Sequence, residues 1–171
     1  MTARNAFDTA QKVLKSAGTR LAGNIDGTMA GLLNDAFGIT PNTAVSAVGT
    51  IRSALTKIAN YFQNGTFIYI WNPPANARGF AAYAQTQPRR PEVFLTDSFF
   101  TSNTRRERAG LLVHEYVHLH HYAAGHPGTQ GELLRVSFGR SSLGIPPNHS
   151  VNNAYCYQYF VEWFAADYHI P

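Results

Sequence analysis

Two histidines four residues apart, His114 and His118, flank a glutamate at Glu115 in the run His114-Glu115-Tyr116-Val117-His118. On a helix, residues spaced by four share one face, so both imidazoles can close on a single metal ion. Glu115 then projects beside the pair, where it can reach a water at that ion. This H-E-x-x-H spacing suits metal-assisted hydrolysis, and the ion it predicts is zinc. On that reading, His114 and His118 are ligands and Glu115 is the general base. The competing reading is a helix carrying two surface histidines that bind nothing.

Such chemistry needs the motif held on a helix, and the flanking residues predict one over 105–124. Thr104-Arg105-Arg106-Glu107 fits a capping box: the Thr hydroxyl and the Glu carboxylate each satisfy a first-turn amide. Gly125 can end the helix. Leu112, Tyr116 and Leu119 fall on a second face, expected to enter the core. His120, His121 and His126 follow closely. His121 returns to the motif's face one turn on and is a rival ligand or a cleft residue. The expectation for all three is solvent or a supporting role.

Two histidines do not hold catalytic zinc; a third protein ligand and an open position are needed. Downstream of the motif only Glu132, Glu162 and Asp167 are carboxylates. Glu162 lies in a helical run over 154–166 that is apolar or aromatic nearly all round, which predicts burial. A buried carboxylate without compensation costs several kcal/mol, and a divalent cation removes that cost. Glu162 is therefore the expected third ligand. Glu132 is the rival, although Thr129-Gln130-Gly131-Glu132 also fits a capping box. Asp167 suits a role behind a ligand histidine. Tyr155, Tyr159 and His149 are candidates to stabilise an oxyanion.

The remaining chain must position that helix. Its 171 residues suit one domain with 44% hydrophobic and 13% aromatic content, enough for a core. We divide it into a helical N-terminal segment, 1–64, packed on a core, 65–171. Helices are expected from Phe7 to Gly18, over 29–37, and from Pro41 onward with Thr40 as N-cap. Strands are expected over 66–71, 80–84 and 92–96. The loop-rich stretch 125–149 reads as a cleft rim.

Composition excludes several classes. Net charge is +4, but only three of fourteen cations are Lys. The Arg groups at Arg89-Arg90 and Arg105-Arg106 with Arg108 are short, and no nucleic-acid module appears. They read as solvated side chains near a helix start. Cys156 is the only cysteine, so an internal disulfide and a Cys-based zinc site are both excluded. No segment reads as a signal peptide or a membrane span. The expectation is a soluble chain, cytosolic or exported without a cleaved leader, with one module of a longer polypeptide as a further open reading.

The residues Phe94-Leu95-Thr96-Asp97-Ser98-Phe99-Phe100, the helix with His114, Glu115 and His118, and Asn153-Ala154 opening a Tyr-rich helix together resemble the zincin superfamily. They resemble the deuterolysin-like (aspzincin) peptidases in particular, and also the metallopeptidase toxin domains of type VI secretion spike and Rhs-type effectors. Gly128-Thr129-Gln130-Gly131-Glu132 matches the start of the aspzincin Gly-Thr-x-x-Asp-x-x-Tyr-Gly motif, with Glu for Asp and without the Tyr-Gly in place. The resemblance implies an α+β, zincin-like fold, with a small sheet on the active-site helix. It implies zinc-dependent hydrolysis of peptide bonds. For the toxin-type domains it implies a third ligand on a later helix, corresponding to Glu162. It also implies an antibacterial effector role, action in a target-cell periplasm and a cognate immunity protein. Two other functions remain open: hydrolysis of peptidoglycan peptide cross-links, and a catalytically inactive binding module.

Overall fold

The computed structural model describes residues 3–64, 82–85, 92–120, 126, 143 and 145–171. Three helices come first: α1 (Ala3–Ala22), α2 (Gly27–Phe37) and α3 (Val45–Asn64). Two short strands follow, β1 (Ala82–Gln85) and β2 (Glu92–Leu95), then α4 (Asp97–Thr101), α5 (Arg105–His120), α6 (Pro147–Ser150) and α7 (Ala154–Asp167). Among the described residues the fold is mostly helical.

The helix boundaries follow local chemistry. Helix α1 runs through Gly18, which the sequence pattern had taken as its end, because Leu21 continues the buried stripe of Ala10, Val13, Leu14 and Ala17. One glycine inside a helix costs about 1 kcal/mol relative to Ala, less than burying a leucine returns. Asp26 caps α2 by accepting from the Met29 amide at 2.8 Å. Gly38 ends it at φ 64°, the left-handed conformation that suits glycine. Pro41 opens a turn rather than a helix. The Thr40 carbonyl accepts from the Thr43 and Ala44 amides, and α3 starts only at Val45.

The two strands pair antiparallel, with Ala82 opposite Leu95 and Gln85 opposite Glu92. This ladder is the described part of the expected sheet, and it packs on α5. The expected strand over 66–71 lies outside the described residues, as do Glu132, His121 and the motif beginning at Gly128.

Helix α5 is the centre of the packing. It lies against α1, α3, α7 and the strands, and α7 also touches α1 and α2. Buried side chains from α1 to α7 belong to one hydrophobic cluster. Tyr116, inside the motif, packs against α3, with ring centroids 4.5 Å from Phe62 and 5.2 Å from Tyr61. The capping box at Thr104 is formed: the Thr104 amide donates to Glu107 Oε2 at 2.6 Å, and the Glu107 amide to Thr104 Oγ1 at 3.3 Å.

Two of the arginines expected to be solvated instead hold the fold together. Arg108 is buried and donates to the carbonyls of Phe99 at 2.8 Å and Phe100 at 2.6 Å, joining α4 to α5. Arg105 donates through Nε to the Asn5 carbonyl at 3.0 Å and to Thr9 Oγ1 at 2.8 Å, joining α5 to α1. The last carbonyls of a helix have no intrahelical donor, and the Arg108 guanidinium supplies one to those of Phe99 and Phe100. The Thr9 hydroxyl in turn donates to the Pro171 carbonyl. Among the described residues, no helix is long and apolar enough to cross a membrane.

Candidate metal centre

Helical spacing places His114 and His118 on one face of α5, and their Nε2 atoms lie 3.2 Å apart. A third imidazole completes the group. His126 Nε2 lies 3.1 Å from His114 Nε2. All three ligand atoms fall within 4.8 Å of one another. A tetrahedral zinc ion with Zn–N bonds of about 2.0–2.1 Å separates its nitrogens by about 3.3 Å. His118 and His126 are therefore each at ligand spacing from His114. Three imidazole nitrogens this close cannot all satisfy one another with N–H bonds, whereas a cation can accept all three lone pairs. The donor set and its spacing fit zinc.

His114 is buried, His118 half-buried and His126 exposed, so the group has a closed side and an open one. Burial holds the His114 pKa well below the usual histidine value, and the neighbouring His118 and His126 push it the same way. His126 is also lowered, again by lost hydration first and then by His118. His126 is exposed as a whole, but its Nε2 end faces buried His114. Depressed pKa values leave the rings neutral, the form that binds a metal.

Glu115, next to His114 on α5, is buried at 6% exposure. Tyr155, in the first turn of α7, brings its ring to 4.7 Å from that of His114 and 4.6 Å from that of His126. The Asn153 side chain caps α7 there, accepting from the Tyr155 amide at 2.9 Å. Of the other oxyanion candidates, Tyr159 stacks on Trp163 with centroids 5.5 Å apart, and His149 is exposed on α6.

Glu162 is not in the histidine group. Its carboxylate accepts from Gln158 Nε2 at 3.0 Å and lies over Gly110, one turn before His114. A Cβ built on Gly110 would stand 2.6 Å from Glu162 Cγ and Oε1 and 2.9 Å from the Gln158 carbonyl oxygen. The burial argument assumed that only a cation could compensate Glu162; an amide one helical turn away supplies a partner. Two buried polar atoms nearby have no hydrogen bond of good geometry among the described residues, His114 Nδ1 and Gln158 Oε1. The Gln158 side chain nevertheless raises the His114 pKa, so the two are close enough to interact. Cys156, also on α7, is buried, and burial pushes its thiol up to about 12. It is an inert core residue rather than a ligand or nucleophile.

His126, expected to face solvent or play a supporting role, instead stands with the two motif histidines. The available signal was a histidine shortly beyond the helix, within reach of its metal-facing side. Five residues separate it from the end of α5. At about 3.3 Å per residue that is ample length to return one or two turns.

One family profile, described as lysine-specific metallo-endopeptidase (aspzincin), matches residues 34–162. No curated protein matches the chain. The matched span runs from α2 to Glu162 of α7 and includes the whole histidine group.

Proposed function

The chain belongs to the aspzincin family of metallo-endopeptidases, and on that premise we propose that it hydrolyses peptide bonds with zinc held by His114, His118 and His126. The observation that carries this reading is the meeting of three imidazoles beside Glu115, with His118 and His126 each at ligand spacing from His114. Bound there, zinc would lower the pKa of a water towards neutrality and polarise a scissile carbonyl. Glu115 takes the proton from the attacking water and passes it to the leaving amine. Its burial keeps that carboxylate out of bulk solvent and close to the reacting groups. Tyr155, whose ring lies against those of both His114 and His126, would donate its hydroxyl to the developing oxyanion.

The family description supports a preference for lysine at the scissile bond. An effector role, with an immunity protein as partner, is supported by the resemblance of the strand, motif helix and Tyr-rich helix to secreted toxin domains. Hydrolysis of peptidoglycan peptide cross-links by the same chemistry is the competing reading. Elemental analysis of the purified protein should give about one zinc per chain. Denatured casein should be cleaved and purified sacculi left intact. Zinc without cleavage of either would favour an inactive binding module. No zinc, and none accepted on titration, would end the metal reading.

A further inference from the structure

A metal-binding imidazole must offer a bare ring nitrogen, and in a neutral ring the other nitrogen then carries the proton. For His114 the bare atom is Nε2, which faces His118 and His126 at 3.2 and 3.1 Å. The proton belongs on Nδ1. That atom is buried, and among the described residues no acceptor meets it with good geometry. Among the described residues, the one buried acceptor in the same condition is Gln158 Oε1, on the helix packed against α5.

An amide turned the wrong way would present NH2 to His114 and favour the opposite tautomer. Glu162 prevents this. A carboxylate only accepts, so the Gln158 Nε2 must face it, and does so at 3.0 Å. Gln158 and Glu162 are four apart on α7, which brings them to one face. Gly110 allows that face to come so close, since any Cβ there would collide with Glu162 and with the Gln158 backbone.

We propose that Gln158 is a positioning residue for the metal centre: its Oε1 accepts the His114 Nδ1 proton, and Glu162 holds the amide in that orientation. The inference rests on reading the histidine group as a metal site. Its role for Glu162 differs from direct ligation, since the carboxylate acts on zinc through an amide and an imidazole. Partners of this kind are worth about 10–100-fold in metal affinity.

The test compares the wild-type protein with Gln158→Met, close to isosteric, and Glu162→Gln, on a half-buried residue. Nitrogen-15 NMR of the metal-free, ring-labelled proteins reads the His114 tautomer directly. Competition with a chelator reads zinc affinity. The wild type is expected to carry its His114 proton on Nδ1. Gln158→Met should shift the population towards Nε2–H and weaken zinc about 10–100-fold, with far-ultraviolet circular dichroism unchanged. Glu162→Gln should give a smaller shift of the same sign, because an amide there can donate as well as accept.

A wild-type proton on Nε2, or a tautomer and affinity unmoved in Gln158→Met, overturns the proposal. So does a loss of zinc in Glu162→Gln as complete as in His118→Ala, which would make Glu162 a ligand. If Gln158→Met does not fold, the tautomer in Glu162→Gln decides. Should the wild type show the expected tautomer and yet refuse zinc, the metal reading fails while the positioning of His114 stands.

Discussion

Helices α5 and α7 lie side by side and meet at the histidine group, but they contribute to it differently. Helix α5 carries groups that face the metal position itself, at a spacing fixed by the helical repeat. Helix α7 brings Tyr155, Gln158 and Glu162, whose places depend on how the two helices approach. Gly110 sets that approach, and it belongs to the first helix while serving the second. Groups that touch a ligand can be spaced within one element. Groups that orient them come from whatever packs behind, and their identity depends on the tertiary contact.

The sharpest way to break this contrast is to ask which helix supplies ligands. His118→Ala and His126→Ala should each reduce bound zinc from about one ion per chain to near none, since two ligands do not hold catalytic zinc. Glu162→Ala should keep zinc, bound less tightly. Equal losses in all three, measured by elemental analysis after dialysis, would put α7 on the same footing as α5.

The next largest effect separates two neighbours on α5. Glu115→Gln keeps the volume of the side chain and removes its basicity. Hydrolysis should fall about 10²–10⁴-fold while zinc content and melting temperature stay close to the parent's. A variant that cleaves peptides as fast as the parent would remove Glu115 from the mechanism.

This contrast also explains what could be read from the chain. His114, Glu115 and His118 were legible because three residue types recur at one helical spacing, and the Thr104–Glu107 cap because it is equally local. Asn153, opening the Tyr-rich helix, is a signal of the same kind. His126 was not legible, since it comes to the group from beyond the end of α5 and nothing in its immediate neighbours announces the return. Glu162 was legible only in part. An apolar helix predicts that its carboxylate is buried, but not which partner compensates the charge, and Gln158 is one turn away on the same helix. Arg108 misled in the opposite sense. A cation near a helix start reads as solvated, whereas two carbonyls of α4 draw it inside.

Gly110→Ala tests the approach of the helices with less effect on chemistry. The added methyl would meet a flexible carboxylate and also the Gln158 carbonyl oxygen, which cannot yield unless α7 moves. Overpacking of this kind costs about 1–3 kcal/mol, partly offset by the better helix propensity of Ala. Thermal or urea unfolding should show that loss, with weaker zinc binding alongside it. A variant as stable as the parent and with the same zinc affinity would mean that the helices are free to adjust, and that close packing does not set the position of Gln158.

The smallest expected effect lies at the other end of α7, away from the histidines. There Tyr168, just past the helix, donates to Asp26 Oδ1 at 2.9 Å, and Arg20 pairs with Asp26 Oδ2 at 2.9 Å while lying over the Tyr168 ring. The Met29 amide is the largest cause holding the Asp26 carboxyl below its usual value, followed by the Tyr168 hydroxyl. A carboxylate with a folded pKa below the unfolded value stabilises the fold above the unfolded value, near 3.8. That contribution fades as pH falls from there through the folded value. Asp26→Asn keeps a cap acceptor but does not titrate in this window. The gap in melting temperature between wild type and Asp26→Asn should therefore shrink as pH is lowered from about 5 to about 2. Zinc affinity at neutral pH should be the same in both proteins, because this end of α7 anchors the fold whereas the Gln158 end serves the site. A gap that stays constant with pH would show that Asp26 is no more acidic folded than unfolded. A change in zinc affinity would show that the two ends of α7 are coupled, and that the positions of Gln158 and Glu162 depend on the helix as a whole rather than on their contact with Gly110.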